Sequence, residues 1–237
     1  MESLTSDFKK YEKSILIPDQ SAWQQVSFWY TQCDVKNIKQ FLDDKNISII
    51  TTSDSASELT KQIYTPNLFG CDLENTITFS GVNPKSLVIS DINFVPTTYS
   101  VGDFDIKVWK VQLEKKPYYQ SVLWDSAPSF QRLLRNRKSK ADISNIFLAR
   151  NLSHQGKNFF IFINDNDQIK QCRIEGFSYM RPIGMLLWML EDGYINSKQK
   201  LVWIYEKMKK CNDRWVPKNI SFKNLCQTII KTKNMLS

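Results

Sequence analysis

Glycine and proline are scarce in this chain, seven and eight among 237 residues. They are also scattered, so no Gly/Ser-rich or Pro-rich linker divides the sequence. Histidine is scarcer still. The single one, His154, gives a Ser-His-Asp or Cys-His hydrolase only one candidate base, and its setting in "NLSHQGKN" predicts a solvated or capping position at a helix end. The five cysteines, Cys33, Cys71, Cys172, Cys211 and Cys226, are odd in number and far apart, with no Cys-x-x-Cys pair. That pattern favours reduced thiols in a cytosolic protein over a disulfide framework or a zinc site. Nucleotide cradles of the Gly-x-Gly-x-x-Gly or Gly-x-x-x-x-Gly-Lys type are missing too. No apolar run approaches the roughly 18 residues needed to cross a bilayer; "IGMLLWML" is much shorter. The opening "MESLTSDFKKYEKS" is polar and carries acids, unlike a signal or transit peptide. The expectation is a cytoplasmic protein with no membrane partner.

What the chain does have is material for a core: 42% hydrophobic and 13% aromatic residues. Its length is within reach of one domain. Lys and Arg (32) outnumber Asp and Glu (24), for a net charge of +8, a balance that suits a polyanionic partner. The densest basic stretch, "RLLRNRKSK", carries Arg132, Arg135, Arg137, Lys138 and Lys140. It reads equally well as a solvated helix face and as a phosphate-contacting patch. Trp109, Tyr118, Tyr119 and Trp124 could stack on bases, although core packing is the commoner use of such residues.

Hydrophobic patterning sets out the elements. "ILI" at 15 to 17 predicts a short buried strand ending at Asp19, with Ser21 opening a helix that turns Trp23, Val26, Phe28 and Trp29 inward. "VKNIKQFLDDKN" predicts a second helix, "ISIITTS" a second strand, and "DSASELTKQIY" a helix with Glu58 in its first turn. Alternation of this kind is the parallel α/β pattern. From about 66 to 116 the chain is rich in Ile, Val, Thr, Phe and Trp, which predicts a β-rich insertion folded as a local meander. From "SVLWDSAPSFQRLLRNRKSKADISNIFLARNLSHQGKN" the patterning turns helical; Asp142 and Ala149 share one face with Ile146 between them, and Gly156 closes the helix. "FFIFIN" predicts another strand, "RPIGMLLWMLEDGYI" an apolar helix, and residues from about 197 to 237 a helical extension.

The run "FFIFINDNDQ" ends abruptly in acids. Taken singly, Asp165 and Asp167 suit a polar turn. Yet Asp19 follows the first strand, Glu58 the second and Asp165 a later one, with Asp142 on a helix, and a parallel sheet points its strand carboxyl ends one way. Carboxylates that converge repel one another unless a hard divalent cation offsets their charge.

In their order these segments resemble the PIN-domain nucleases. "ILIPDQSAW" is similar to the family's opening strand with its first acid, "SASELTKQI" to the Glu-bearing helix and "KADISNIFLARNL" to the Ala-Asp helix. "FFIFINDNDQ" is similar to the strand ending in Thr-Asn-Asp-x-Asp, and "GFSYMRPIGMLLWMLEDGYI" to the closing segment. The resemblance covers about 15 to 65 and 120 to 200. It implies a single PIN-like domain over 1 to 237, a three-layer α/β/α arrangement with a central parallel sheet, interrupted by the β-rich insertion.

The activity implied is metal-dependent endoribonuclease cleavage, with Mg²⁺ or Mn²⁺ as cofactor and RNA as partner. The resemblance puts the catalytic acids at Asp19, Glu58, Asp142 and Asp165, and the metal ligands at Asp19, Asp142, Asp165 and Asp167. Ser21 and Asn164 would be polar supports, and Arg132, Arg135, Arg137 and Lys138 would contact phosphates. For the second acid, Asp54 and Glu114 compete with Glu58 because they too stand near strand ends. Small members of the family act as toxins held by an antitoxin, and a homodimer is a further expected assembly. The alternative is a PIN-like module that binds RNA or protein without cutting.

Overall fold

The computed structural model describes residues 8–52, 54–55, 97–101, 104–109 and 140–216. The elements run β1 (Ile15–Pro18), α1 (Gln20–Gln32), α2 (Ile38–Asp44), β2 (Ser48–Thr52), β3 (Thr97–Val101), β4 (Phe104–Trp109), α3 (Lys140–His154), β5 (Phe159–Phe162), α4 (Asn166–Glu175), β6 (Tyr179–Met180), α5 (Pro182–Glu191) and α6 (Lys198–Cys211). A 3₁₀ turn over Asp213–Trp215 follows.

One sheet joins all six strands in the order β3-β4-β2-β1-β5-β6. From β4 to β6 every pairing is parallel, and β3 alone runs antiparallel, on the edge. The apolar runs of the sequence follow from burial on both faces. Along β5 and just beyond it, Phe160 and Phe162 enter one core while Phe159, Ile161 and Ile163 enter the other. Leu16 and Ile17 divide in the same way, as do Ile49 and Ile50. The first core takes Trp23, Val26 and Trp29 of α1, Phe41 of α2, Leu186 and Trp188 of α5, and Leu201 and Ile204 of α6. The second takes Ile143, Ile146 and Ala149 of α3, with Ile169 and Cys172 of α4. Helices therefore cover both faces of an α/β sheet.

The structure describes residues 66 to 116 and the carboxyl end in part. Of the β-rich stretch, the described part is the β3-β4 hairpin, and β4 pairs with β2 from Ile49↔Ile106 to Thr52↔Trp109. That part extends the main sheet, because the exposed edge of β2 supplies unpaired backbone groups that a further strand satisfies. The rest of the stretch lies outside the described residues. Helix α6 likewise belongs to the first core, with Leu201, Ile204, Tyr205 and Met208 buried in it. Residues 217–237 lie outside the described residues. β6, at two residues, is too short for periodicity to reveal.

The helix ends fix where the acids emerge. Asp19, in extended conformation, is the N-cap of α1, so the helix starts at Gln20, one residue earlier than the start at Ser21 expected from sequence. Asp165 caps α4 in the same way. Gly156, at φ 64°, ends α3 with Lys157 N–H donating to the Leu152 carbonyl at 2.9 Å and Gly156 N–H to the Ser153 carbonyl at 2.9 Å. This is a Schellman closure, which a residue with a Cβ would strain.

Candidate functional site

Chain connections leave β1 and β5 in opposite directions: β1 leads to β2 on one side, β5 to β6 on the other. Between the carboxyl ends of two such strands the flanking connections part and leave a crevice, the usual ligand position of an open parallel sheet. Asp19 follows β1 and Asp165 follows β5. Their placement is locked by the backbone, since Asp19 N–H continues the β1-β5 ladder by donating to the Phe162 carbonyl at 2.9 Å.

Asp19 is buried, with 5% of its surface exposed. Its Oδ2 accepts from Ser21 N at 3.1 Å and from Ser21 Oγ at 2.5 Å. Its Oδ1 accepts from Gln168 Nε2 at 3.3 Å. The same Nε2 donates to Oδ1 of Asp142, in the first turn of α3. One amide thus bridges two carboxylates that are far apart in sequence. Burial pushes the Asp19 carboxyl above its ordinary value; the bonds from Ser21 and Gln168 oppose that push, and the nearby charge of Asp165 adds to it.

Asp165 is committed differently. Its Oδ1 accepts from the backbone N–H of Asp167 at 2.7 Å and of Gln168 at 3.1 Å, satisfying two of the free donors at the start of α4. Asp167 faces outward and pairs with Lys170 at 3.0 Å. Asn164 is half-buried between β5 and Asp165. Glu58, Arg132, Arg135, Arg137 and Lys138 lie outside the described residues, as do Glu114, Tyr118, Tyr119 and Trp124. His154 is exposed in the last turn of α3.

The structure adds residues that sequence reasoning missed. Gln168 is the first of them. It stands three residues after its helix cap, a spacing that by itself marks a capping box, but its Nε2 reaches across to Asp19 and Asp142. Beside the acids, at the end of β2, lies a buried hydroxyl and amide cluster. Thr52 Oγ1 and Ser144 Oγ are 2.6 Å apart, and Ser55 Oγ donates to Asn145 Oδ1 at 2.9 Å. These bonds tie the end of β2 to the second turn of α3, directly after Asp142, and so hold Asp142 toward the crevice. Asn145 Nδ2 is buried without a hydrogen-bond partner among the described residues. Arg181, at the carboxyl end of β6, donates from Nη2 to Asn166 Oδ1 at 2.5 Å and places a guanidinium on the same rim.

An all-oxygen donor pair with a raised, buried carboxyl fits Mg²⁺ or Mn²⁺. Mg²⁺ in particular is often held by one or two carboxylates while keeping several waters. Among the described residues no three His, Cys, Asp or Glu side chains come close enough to form a fuller cage. No helix among them is long and apolar enough to cross a membrane. No protein-family model matches the chain, and comparison with curated proteins and with solved structures finds no match.

Proposed function

We propose that the chain is a PIN-like, metal-dependent endoribonuclease whose site is the crevice between β1 and β5. The observation that carries this reading is the meeting of Asp19 and Asp142 on one amide at the point where the strand order reverses. Two carboxylates, one buried and one half-buried, that share a single amide would be joined well by a cation, which offsets their charge. A bound Mg²⁺ or Mn²⁺ would lower the pKa of a water and offset charge on phosphate oxygens. Asp19 and Asp142 would hold it. Asp165, near enough to raise Asp19, would take or relay the proton of the attacking water. Ser21 fixes the Asp19 carboxylate through two bonds to Oδ2, which leaves Oδ1 toward the crevice. Arg181 would contact a flanking phosphate, giving affinity without sequence choice.

The test is cleavage of labelled single-stranded and hairpin RNA with Mn²⁺, with Mg²⁺ or with EDTA, beside Asp19→Asn and Asp142→Asn proteins. Metal-dependent cutting that both substitutions abolish is the expected result. The absence of a three-ligand group among the described residues favours one other reading, a PIN-like module that binds RNA without cutting. Salt-sensitive RNA binding, with no cleavage by the wild-type protein in any metal, would establish that instead.

A further inference from the structure

The Gln168 amide occupies the point that Asp19 and Asp142 would share with a cation. Its Nε2 carries two N–H groups and directs them at Oδ1 of each carboxylate. The side chain is 6% exposed. Its donors thereby supply, in a buried setting, the positive potential that keeps two like charges together. Helix α4 does not need this arrangement, because Asp165 already caps it through two backbone bonds. The amide could therefore leave by side-chain rotation, with the helix start undisturbed.

We propose that Gln168 is a built-in occupant of the cation position that sets the metal concentration at which the site loads. This rests on reading Asp19 and Asp142 as metal ligands. In the metal-free protein the amide holds the pair in register. When a cation arrives, two hydrogen bonds to charged oxygens are exchanged for coordination, so loading is weaker than the bare carboxylate pair would give. Residues of the crevice thus tune metal affinity without touching the substrate.

The experiment is calorimetric titration of Mn²⁺ into the full chain as wild type, Gln168→Ala and Gln168→Met, with melting temperatures in EDTA and in Mn²⁺. Methionine keeps the length of the stem and removes the donor, so packing loss and donor loss are separable. Each hydrogen bond to a charged group is worth about tenfold or more, so about tenfold is the smallest effect on affinity that the two together should give. Both variants should melt lower than wild type in EDTA, bind Mn²⁺ about tenfold tighter and gain more on adding Mn²⁺. Weaker or unchanged Mn²⁺ binding in the folded variants overturns the proposal and makes Gln168 an ordinary support, while the acid site stands. If wild type binds no Mn²⁺, or Asp19→Asn leaves the binding unchanged, the metal site itself fails and the proposal with it.

Discussion

The Arg150 guanidinium grips the Glu175 carboxylate at two points, Nε to Oε2 at 2.8 Å and Nη2 to Oε1 at 2.6 Å. Both side chains are largely withdrawn from solvent, at 21% and 11% exposed. The pair joins the far half of α3 to the end of α4, the two helices that bring Asp142 and Gln168 together. Lysine cannot reproduce a two-pronged contact. Arg150→Lys should cost about 1 kcal/mol and Arg150→Ala about 3 kcal/mol, since alanine leaves Glu175 charged and half-satisfied. Urea denaturation measures both, and equal effects would mean that the fork geometry is irrelevant.

Asp19 should make stability depend on pH in the sense opposite to a salt-bridged acid. Its folded-state pKa is raised above the ordinary 3.8, so the folded protein holds its proton longer than the unfolded chain does. Stability is therefore lost as pH rises from the unfolded value through the folded one, and the full penalty stands above both. In EDTA, the stability of wild type relative to Asp19→Asn should fall as pH rises through this range. Asparagine keeps an oxygen to cap α1. A difference that stays flat from acid to neutral pH would remove burial as the cause.

Lys45 lies between two acids, 3.0 Å from Glu12 Oε1 and 2.7 Å from Asp192 Oδ2, and 5.6 Å from the centre of the Trp188 ring. Burial pulls the amine down, but bonds to Asp192 and Glu12 outweigh it and hold the pKa above the ordinary 10.5. Its contribution is full below that ordinary value and disappears as pH rises through the folded one. Lys45→Met should cost about 1–2 kcal/mol at neutral pH and much less in strong alkali, as read by thermal melts across the alkaline range.

Thiol labelling offers a check on burial. The Cys172 thiol is pushed up to about 12 by burial, with Glu175 adding to the effect, so almost no thiolate exists at pH 8. Cys33 is fully buried, whereas Cys211 is partly exposed. Iodoacetamide on the native protein, read by peptide mass mapping, should modify Cys211 and spare Cys33 and Cys172 until denaturant is added. Early labelling of Cys172 would contradict the packing of α4 against the sheet.

The legible parts of this fold were those with local signatures. Burial on both faces made β1 and β5 readable as apolar runs, and the placement of Asp19 and Asp165 after strands, with Asp142 on a helix, marked them as a set. Gln168 was hidden for the opposite reason. Its spacing from Asp165 resembles a local cap, and only the three-dimensional meeting of β1, α3 and α4 gives its amide two distant partners. Pairing of β4 with β2 was equally invisible, because a strand's sequence specifies its pleat and burial but not which edge it joins. The Thr52, Ser144 and Asn145 cluster is built from residue types common in loops, so composition alone gave no reason to gather them.

The pairing of Ile15 with Phe159 has a consequence for the order in which the protein comes into being. Chains emerge from the ribosome amino end first, and β1 must wait for β5 as its neighbour. Asp19 can meet Asp142 and Gln168 only after more than half of the polypeptide has been synthesised. The crevice between β1 and β5 is thereby absent for most of translation, by the wiring of the sheet.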